Sequence, residues 1–393
     1  MKILQVGVVG LGARGQGLIG PVLLKMEDIQ IAAVCDVYPD RVKNAADGIE
    51  KAGHPRPFET ENYRDLADLS LDAVLVLTSW KTHVEIATFF MECGIAVGSE
   101  VGGARTLEDC FRLVETWERT RTPYMFLENC NYGRRELMVL RMVREGLFGK
   151  IVHCSGGYQH DLREEVAGGE ENRHYRLEEY RSRNGENYPS HELGPILRIL
   201  DVGDNNRLLT LSSTASAAVG LEEYCRRTRP EKKELWEGGF AQGDVVTTVI
   251  TCSEGQTITL TLDTTLPRYY SRGFTVRGTR GMYMEENDSI FLDGVHNSAD
   301  FHWKENWGNA ESYAAEYEHP LWAEITQAER EAGHGGMDYL CLRDFFDHVR
   351  SKEPMPIDVY EGALLMCITP LSEQSVAQGG MPVKNPDFRG GKE

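Results

Sequence analysis

Short apolar runs alternate with amphipathic stretches along the first 130 residues. The runs are typical of buried strands, and the stretches between them place apolar residues at helical spacing. A helix predicted over 83–94 ends at Gly94, and another over 106–121 begins at a capping threonine. Alternation of strand and helix with short connections predicts a doubly wound parallel sheet. The predicted strands are 3–9, 29–36, 71–79, 95–100 and 123–129.

In the second half the pattern changes to a succession of strands separated by short polar turns. Such a succession favours a largely antiparallel sheet. The charged segment 222–243 and the segment 294–335, with its scattered Trp, His and Glu, are predicted to be surface excursions. Two helices are expected near the end, over 337–351 and 359–378, with the second interrupted at Pro370. The predicted strands are 151–161, 207–219, 244–251, 256–266, 273–278, 281–286 and 289–293.

A glycine-rich turn follows the first strand directly. It reads GVVGLGARGQG, and Gly10, Gly12 and Gly15 have the GxGxxG spacing of a dinucleotide-binding Rossmann fold. That spacing gives a tight turn and lets a pyrophosphate approach the main chain and the N–H groups at the helix start. The second strand ends in Asp36, about 20 residues further on, where an acid binds the ribose hydroxyls of NAD. We therefore predict NAD as cofactor, while nearby Arg41 keeps NADP as an alternative.

These patterns predict an α/β protein with two domains and a tail. Residues 1–130 are expected to form the NAD-binding Rossmann domain. Residues 131–358 are expected to form an α+β domain, with a large, mainly antiparallel sheet, for substrate binding and oligomerisation. Residues 359–393 would form a C-terminal helix and a tail that packs back on the N-terminal domain.

Composition narrows the class of protein further. The 393 residues carry a net charge of −19, which argues against nucleic acid or an anionic membrane surface as partner. The nine cysteines are odd in number and include no CxxC pair, so we expect reduced thiols and no disulfide framework. We also expect no metal site. No apolar run approaches the roughly 18 residues that span a bilayer, and nothing at the N-terminus resembles a signal peptide. These observations predict a cytoplasmic protein.

Tyrosine and histidine side chains concentrate near predicted element ends in the second half. Tyr158 and His160 alternate along one strand and therefore share a face. His191 lies at the N-terminal end of a helix that begins either at Ser190 or at Gly194–Pro195. The partial positive charge of a helix start disfavours a protonated imidazole, which suits a base. Further candidates are Arg176, the segment 267–272 (PRYYSR) and the segment 333–338 (GHGGMD).

Each of these residues also has a structural interpretation. A single Tyr or His at a strand end is more often a structural residue than a catalytic one. Arg176 could belong to a charged surface, because 163–183 is rich in Arg and Glu, and His334 could cap a helix. Taken one at a time, the residues therefore favour structural roles.

From Gly7 onward the chain resembles the glucose–fructose oxidoreductase and inositol dehydrogenase (Gfo/Idh/MocA) family, which joins a Rossmann domain to a C-terminal domain with a large open sheet. Val101 stands where that family carries its catalytic lysine, so a plain sugar dehydrogenase is disfavoured. Over nearly the whole chain, the sequence more closely resembles glycoside hydrolase family 109, the NAD-dependent α-N-acetylgalactosaminidases. The shared motifs are ENCNYG (128–133), YQHDLR (158–163), YR (175–176), NYPSHELGP (187–195), PRYYSR, GHGGMD, VYEGALLMCITPLSEQSVA (359–377) and PDF (386–388).

This resemblance implies a set of contacts, which we adopt as predictions together with the glycine motif and the histidines noted above. Predicted cofactor contacts are Gly10, Gly12, Ala13, Arg14, Gly15, Asp36, Ser79, Trp80, His83, Glu100, Val101, Asn129 and Tyr188. Predicted substrate contacts are Tyr158, His160, Arg176, Tyr188, Pro189, Ser190, His191, Tyr270 and His334. The Y-S-R register favours Tyr270 over its neighbour Tyr269.

The resemblance also implies the activity. We expect hydrolysis of a glycosidic bond by transient oxidation at sugar C3, elimination across C1–C2, addition of water and re-reduction. His191, helped by Tyr188, would remove the hydroxyl proton, and Tyr270 would remove the proton at C2. The alternatives are a NAD-linked dehydrogenase that releases a keto sugar, and a non-catalytic NAD or sugar sensor. The expected partners are a small glycoside and further copies of the chain in a homo-oligomer.

Overall fold

The computed structural model describes residues 2–203, 205–297, 299 and 301–390. The chain divides into two compact units. The first comprises the residues up to Tyr132 together with Glu324–Leu364, and the second comprises Gly133–Ala323 together with the residues from Leu365 onward. The domain boundaries predicted from the sequence stay predictions.

The first unit contains a parallel sheet. Its strands are β1 (Leu4–Val9), β2 (Ile29–Cys35), β3 (Phe58–Thr60), β4 (Ala73–Val76), β5 (Ala96–Ser99) and β6 (Tyr124–Phe126). They are arranged in the order β3-β2-β1-β4-β5-β6, with every pair parallel. This order confirms the predicted doubly wound sheet. Strand β3 was not predicted from the sequence, because this short edge strand lacks an apolar run and even Phe58 is exposed.

The second unit contains a mixed sheet. Its strands are β7 (Ile151–Gln159), β8 (Leu208–Ala215), β9 (Val245–Cys252), β10 (Thr257–Asp263), β11 (Thr275–Gly278), β12 (Gly281–Met284), β13 (Ser289–Leu292) and β14 (Val383–Lys384). The order is β13-β12-β11-β7-β10-β9-β8-β14, and β7–β10 is its parallel pair. The predicted, mainly antiparallel sheet is therefore confirmed. Within the tail, β14 pairs with β8, because the edge of β8 offers unpaired main-chain groups there.

Helices cover both sheets. In chain order they are α1 (Ala13–Ile19), α2 (Pro39–Lys51), α3 (His83–Glu92), α4 (Leu107–Thr120), α5 (Arg134–Arg144), α6 (Arg163–Ala167), α7 (Arg176–Ser182), α8 (Ser190–Ile199), α9 (Gly220–Thr228), α10 (Ala310–Tyr317), α11 (Pro320–Glu324), α12 (Gln327–Arg330), α13 (Met337–Ser351) and α14 (Val359–Ala377). Short 3₁₀ helices lie at Leu23–Lys25, Tyr63–Asp68, Asn129–Tyr132, Lys233–Leu235, Glu285–Asn287, Trp303–Asn306 and His334–Gly336. None of the helices in the described ranges is both long and apolar enough to cross a membrane.

The two predicted surface excursions contain folded elements. Cys225 on α9 and Leu235 beside it are buried, as are Ala310 on α10 and Trp322 on α11. The described residues of both segments are mostly exposed or half-buried, as expected of surface excursions, but the helices within them were not predicted. These helices are short, and each has only one or two buried positions, which gives little periodic signal.

Prolines lie inside two helices. Helix α8 begins at Ser190, which is the first of the two predicted alternatives. Pro195 lies inside this helix. The predicted interruption of α14 was wrong, because one helix runs through Pro370. A proline inside a helix removes one hydrogen bond and costs roughly 3 kcal/mol. The buried side chains of Ile368 and Leu371 on either side offset that loss.

Candidate active site

The glycine-rich turn between β1 and α1 is shaped by close packing of the main chain. Gly10 has a φ of +99°, and a Cβ there would lie 2.5 Å from the carbonyl carbon and oxygen of Leu77. A Cβ on Gly15 would overlap the carbonyl oxygen of Gly10. Glycine alone fits these positions, and the resulting turn is the kind that lets a pyrophosphate approach the main chain. Gly12 caps α1, which begins at Ala13.

Asp36 follows β2 and binds main-chain amides on two loops. Its Oδ2 accepts a hydrogen bond from the N–H of Leu11 at 2.7 Å, and its Oδ1 accepts one from the N–H of Tyr38 at 3.0 Å. Nη1 of Arg41 lies 3.8 Å from Oδ2. The carboxylate is thus fixed beside the glycine turn, where an acid recognises the ribose of a dinucleotide. The turn and this acid together fit NAD.

Ser79, Trp80 and His83 lie between β4 and the first turn of α3. Trp80 is buried, and a Cβ on Gly102 would overlap its ring. Nε2 of His83 is 2.9 Å from the carbonyl oxygen of Thr78. Burial lowers the pKa of this imidazole, so a neutral His83 donates to Thr78 and holds the loop.

Arg14 joins two acidic side chains in the first unit. Its Nε donates to Oε2 of Glu100 at 2.7 Å, and its terminal nitrogens donate to the two carboxylate oxygens of Asp338 at 2.8 Å each. Asn129 Nδ2 donates to the same carboxylate at 2.7 Å. Burial alone would raise the pKa of Asp338, but hydrogen bonds from His334 and Arg14 hold it well below its usual range. Three predicted cofactor residues are thus held in one network.

Val101 directly follows Glu100 at the start of the loop after β5. Its side chain is buried, and its N–H donates to Oε1 of Glu100 at 3.2 Å. An apolar side chain can neither give nor take a proton at this position. Any proton transfer in the reaction must therefore use other residues.

His334 also belongs to the first unit. Its Nδ1 lies 2.7 Å from Oδ2 of Asp338, four residues further along the chain. All residues from 333 to 336 have positive φ angles, which explains the glycines on both sides of His334. The structure therefore places this predicted substrate residue beside predicted cofactor residues. Its contact with substrate stays a prediction.

Aromatic and imidazole rings cluster in the second unit. Tyr158 lies near the end of β7, Tyr188 and His191 lie at the start of α8, and Tyr270 lies in the loop after β10. The ring centroid of Tyr158 is 4.3 Å from that of Tyr188, 5.3 Å from His191 and 6.3 Å from Tyr270. The centroids of Tyr188 and His191 are 4.8 Å apart. The three residues predicted to be catalytic therefore surround Tyr158.

His160 extends this ring cluster along the same strand end. Its Nδ1 lies 2.9 Å from the phenolic oxygen of Tyr158, and its ring centroid is 5.2 Å from that of Tyr270. Burial lowers the pKa of His160, which favours the neutral imidazole at pH 7. The cluster thus contains a second imidazole able to accept a proton.

Arg176 adds a buried positive charge to the ring cluster. Its guanidinium carbon lies 5.4 Å from the ring centroid of Tyr188, and its Nη1 forms an ion pair with Glu165. Pro189 precedes α8 as its cap residue, and Ser190 is its buried first residue. The predicted substrate residues of the second unit therefore lie close together. Their roles in binding substrate stay predictions.

Tyr269 and Tyr270 are neighbours with different surroundings. Tyr269 is 95% exposed, whereas Tyr270 is 51% exposed and packs against the rings of Tyr158 and His160. The structure therefore brings the preferred tyrosine into the ring cluster. Its role as a base stays a prediction.

Sequence reasoning missed several acidic residues at these positions. Glu186 is fully buried, and its Oε1 accepts a hydrogen bond from the N–H of Tyr188 at 3.3 Å. Burial raises the pKa of Glu186 to about 8, so this carboxyl is mostly neutral at pH 7. Glu165 and Asp338 were also missed. The signal for Asp338 was its position four residues after His334, within a motif noted only for its histidine.

Comparison with known proteins identifies both parts of the chain. The family model "Glycosyl hydrolase 109, C-terminal domain" matches residues 132–393, and "Oxidoreductase family, NAD-binding Rossmann fold" matches residues 4–127. A glycosyl hydrolase family 109 protein of Stenotrophomonas maltophilia (strain K279a) is 38% identical, over 98% of this chain and 89% of its own. An alpha-N-acetylgalactosaminidase of Tannerella forsythia is 36% identical, over 99% of this chain and 87% of its own.

A solved structure shares the fold at low identity. Levoglucosan dehydrogenase, in complex with NADH and levoglucosan, matches with a TM-score of 0.70 and 17% identity, covering 98% of this chain and 99% of that one. This likeness concerns the fold alone. The family model over 132–393 and the relatives that are 36% and 38% identical over nearly the whole chain show the family. The chain belongs to glycosyl hydrolase family 109 and is a glycoside hydrolase with an N-terminal NAD-binding Rossmann domain.

Proposed function

We propose that this glycoside hydrolase uses NAD to cleave an α-linked N-acetylgalactosamine or a closely similar sugar. Relatives named alpha-N-acetylgalactosaminidase, from Tannerella forsythia and Shewanella oneidensis, are 36% and 35% identical to the chain and support this choice of substrate. The observation that carries the proposal is the ring cluster of Tyr158, Tyr188, His191 and Tyr270. It supplies the imidazole and phenol groups that a sequence of proton transfers requires.

The cofactor is proposed to be NAD, held by the glycine turn and Asp36. A Cβ at Gly10 would fill the turn, and Asp36 stands where the ribose hydroxyls are bound. Arg14, Glu100 and Asn129 would complete the site through the network around Asp338. When bound, NAD⁺ would supply the hydride acceptor for C3 of the sugar and, once reduced, the donor that restores it.

His191 is proposed to remove the proton of the C3 hydroxyl through an imidazole nitrogen. Its position in the first turn of α8 places the imidazole among the rings of Tyr158 and Tyr188. Tyr188 packs edge-on against it at 4.8 Å and limits the orientations that the imidazole can adopt. The two side chains together thus act as a base with a fixed direction.

Tyr270 is proposed to remove the proton at C2 through its phenolic oxygen. A ketone at C3 makes that proton acidic, because the resulting negative charge spreads onto oxygen. Loss of the C1 substituent then follows by elimination, and water adds to the enone. Arg176, a buried cation beside Tyr188, would stabilise the negative charge that develops on the sugar.

Hydrolysis of an aryl α-N-acetylgalactosaminide in deuterated water tests this proposal. Cleavage should require NAD, the released sugar should carry deuterium at C2, and no NADH should accumulate at turnover. Released sugar without deuterium at C2 would exclude the elimination route. Accumulation of one NADH for each sugar consumed would instead identify a dehydrogenase that releases a keto sugar.

A further inference from the structure

The loop between β10 and β11 carries Tyr270 and is held by one contact on each side of this residue. Nη1 of Arg268 donates to Oδ2 of Asp263, the last residue of β10, at 2.6 Å. Ser271 and Gln159 of β7 exchange main-chain hydrogen bonds of 3.0 and 3.2 Å. The loop is thus tied to the sheet by a side chain before Tyr270 and by the main chain after it, although the tyrosine itself is half-exposed.

Arg272, the residue after Ser271, anchors this loop through further contacts. Its guanidinium forms an ion pair with Glu136 of α5, and its Nε lies 3.5 Å from Oε2 of Glu192 on α8. Both carboxylates are buried, and the arginine side chain is only 12% exposed. The N–H of Arg272 also donates to Oε2 of Glu285 at 3.1 Å. Side-chain and main-chain contacts of one residue therefore reach three other elements.

Glu192 is itself confined by β7. A Cβ on Gly156 would lie 2.6 Å from the Cβ of Glu192, so the strand leaves room for this carboxylate only because it has a glycine there. Gly156 and Tyr158 point to the same face of the strand, two residues apart. Glu192 is therefore wedged between the strand that carries Tyr158 and the arginine from the Tyr270 loop.

The ionic contacts connect the two residues proposed to move protons. Glu192 directly follows His191, and Arg272 lies two residues after Tyr270. A buried ion pair is seldom the most stable solution, because well-packed apolar side chains of similar volume often stabilise a fold as much or more. Its advantage here is geometric. The planar guanidinium of Arg272, held by two carboxylates, restricts both the distance and the orientation between the loop and α8.

We propose that Arg272 is a positioning residue, which fixes Tyr270 relative to His191 through Glu192 and Glu136. This inference rests on the roles proposed above for Tyr270 and His191. Reacting groups displaced by about 1 Å can lose roughly 100-fold in rate. Loosening the loop should therefore slow removal of the C2 proton more than it weakens substrate binding.

The test compares Arg272→Lys and Glu192→Gln with Arg135→Lys in the full-length enzyme loaded with NAD. Arg135 is a matched control, because it neighbours Glu136 on α5 and pairs with Asp288 and Glu311, outside the ring cluster. Arg272→Lys should lower kcat and the rate of deuterium entry at C2 by roughly 10- to 100-fold, with KM changed by less than about threefold. The Arg135 variant should stay within about twofold of the parent.

A double-mutant cycle separates positioning from general stability. In a Tyr270→Phe background the base is already missing, so Arg272→Lys should cause little further loss. An equal loss in both backgrounds, or a loss no greater than that of the Arg135 variant, would overturn the proposal. Glu192→Gln, which keeps the side-chain shape, tests the same contact if the lysine variant does not fold.

Hydrogen–deuterium exchange of the loop gives a measurement that does not depend on the reaction. Main-chain amides of 268–273 should exchange at least about fivefold faster in Arg272→Lys than in the parent or the Arg135 variant. Unchanged exchange would show that the ion pairs do not hold the loop. If the parent enzyme puts no deuterium into C2, the proposed function fails, and this exchange result still decides whether Arg272 fixes the loop.

Discussion

The two units hold their candidate functional groups by different means. In the first unit the main chain defines the site, since the turn at Gly10 packs on Leu77 and Asp36 binds the amides of Leu11 and Tyr38. In the second unit side chains define it, since rings from β7, α8 and the loop after β10 pack against one another. The first kind of site depends on the backbone conformation at a few positions, whereas the second depends on which side chains pack together.

The largest expected effect concerns the side chain that starts the reaction. His191→Ala should lower turnover by roughly 1,000-fold, because it removes the base for the C3 hydroxyl, while NAD affinity stays within about threefold. Steady-state hydrolysis and calorimetric titration with NAD measure the two quantities. His153→Ala is the control, since it removes an imidazole that lies on β7 and is hydrogen-bonded to Thr257. Normal turnover by the His191 variant would remove this residue from the mechanism.

The two neighbouring tyrosines offer a sharper test of the side-chain site. Tyr270→Phe should reduce cleavage by roughly 100-fold and deuterium entry at C2 in parallel, because only the phenolic oxygen is lost. Tyr269→Phe should leave both rates within about twofold, since that ring is 95% exposed. The same deuterium assay measures both variants. The opposite ranking would mean that the loop has a different register when substrate is bound.

A pair of glycines in the first unit tests the main-chain site. Gly10→Ala should weaken NAD binding by roughly 100-fold or more, because its Cβ would lie 2.5 Å from the carbonyl atoms of Leu77 and its φ is +99°. Gly17→Ala, within α1, meets no atom within 4 Å and should leave affinity unchanged. Calorimetric titration and thermal unfolding of both variants provide the comparison. Equal NAD affinity in the parent and the Gly10 variant would contradict a site built on this turn.

These differences explain which features could be predicted from the sequence. The parallel sheet and the turn at Gly10 follow from local patterns of apolar residues and glycines. The order of strands in the second sheet depends on pairings such as β7 with β10, which lie about 100 residues apart in the chain. The sequence predicted these strands but not their neighbours.

Several contacts that hold the candidate residues join positions far apart in the chain. Arg14 and Asp338 are 324 residues apart, and Glu136 and Arg272 are 136 residues apart. No spacing rule connects such pairs, and charged residues in these segments look like an ordinary polar surface. Grouping of Tyr158, His191 and Tyr270 was predicted only through the family resemblance.

Buried carboxyl groups should make the free energy of unfolding depend on pH in opposite ways in the two units. Asp338, in the first unit, has a lowered pKa because His334 and Arg14 outweigh its burial. A lowered pKa in the folded state stabilises the fold above the unfolded value, about 4, and this contribution is lost as the pH falls. Asp338→Asn should therefore be destabilised by roughly 3 kcal/mol at pH 7, and the deficit should shrink below about pH 4. Urea unfolding across this range measures it, and a deficit that does not change with pH would contradict an ionised Asp338.

Glu186, in the second unit, should show the opposite sign. Burial raises its pKa from 4.5 to about 8, so between these values the unfolded chain has lost a proton that the folded chain keeps. The folded state therefore loses stability as the pH rises through this window. The Glu186→Gln variant has no carboxyl group at this position, so its stability should not fall in this way. We expect the variant to equal the parent near pH 4 and to exceed it by roughly 4 kcal/mol at pH 8. Urea unfolding at the two pH values measures the difference. A variant less stable than the parent at pH 8 would mean that the second unit, like the first, holds its buried carboxylate ionised.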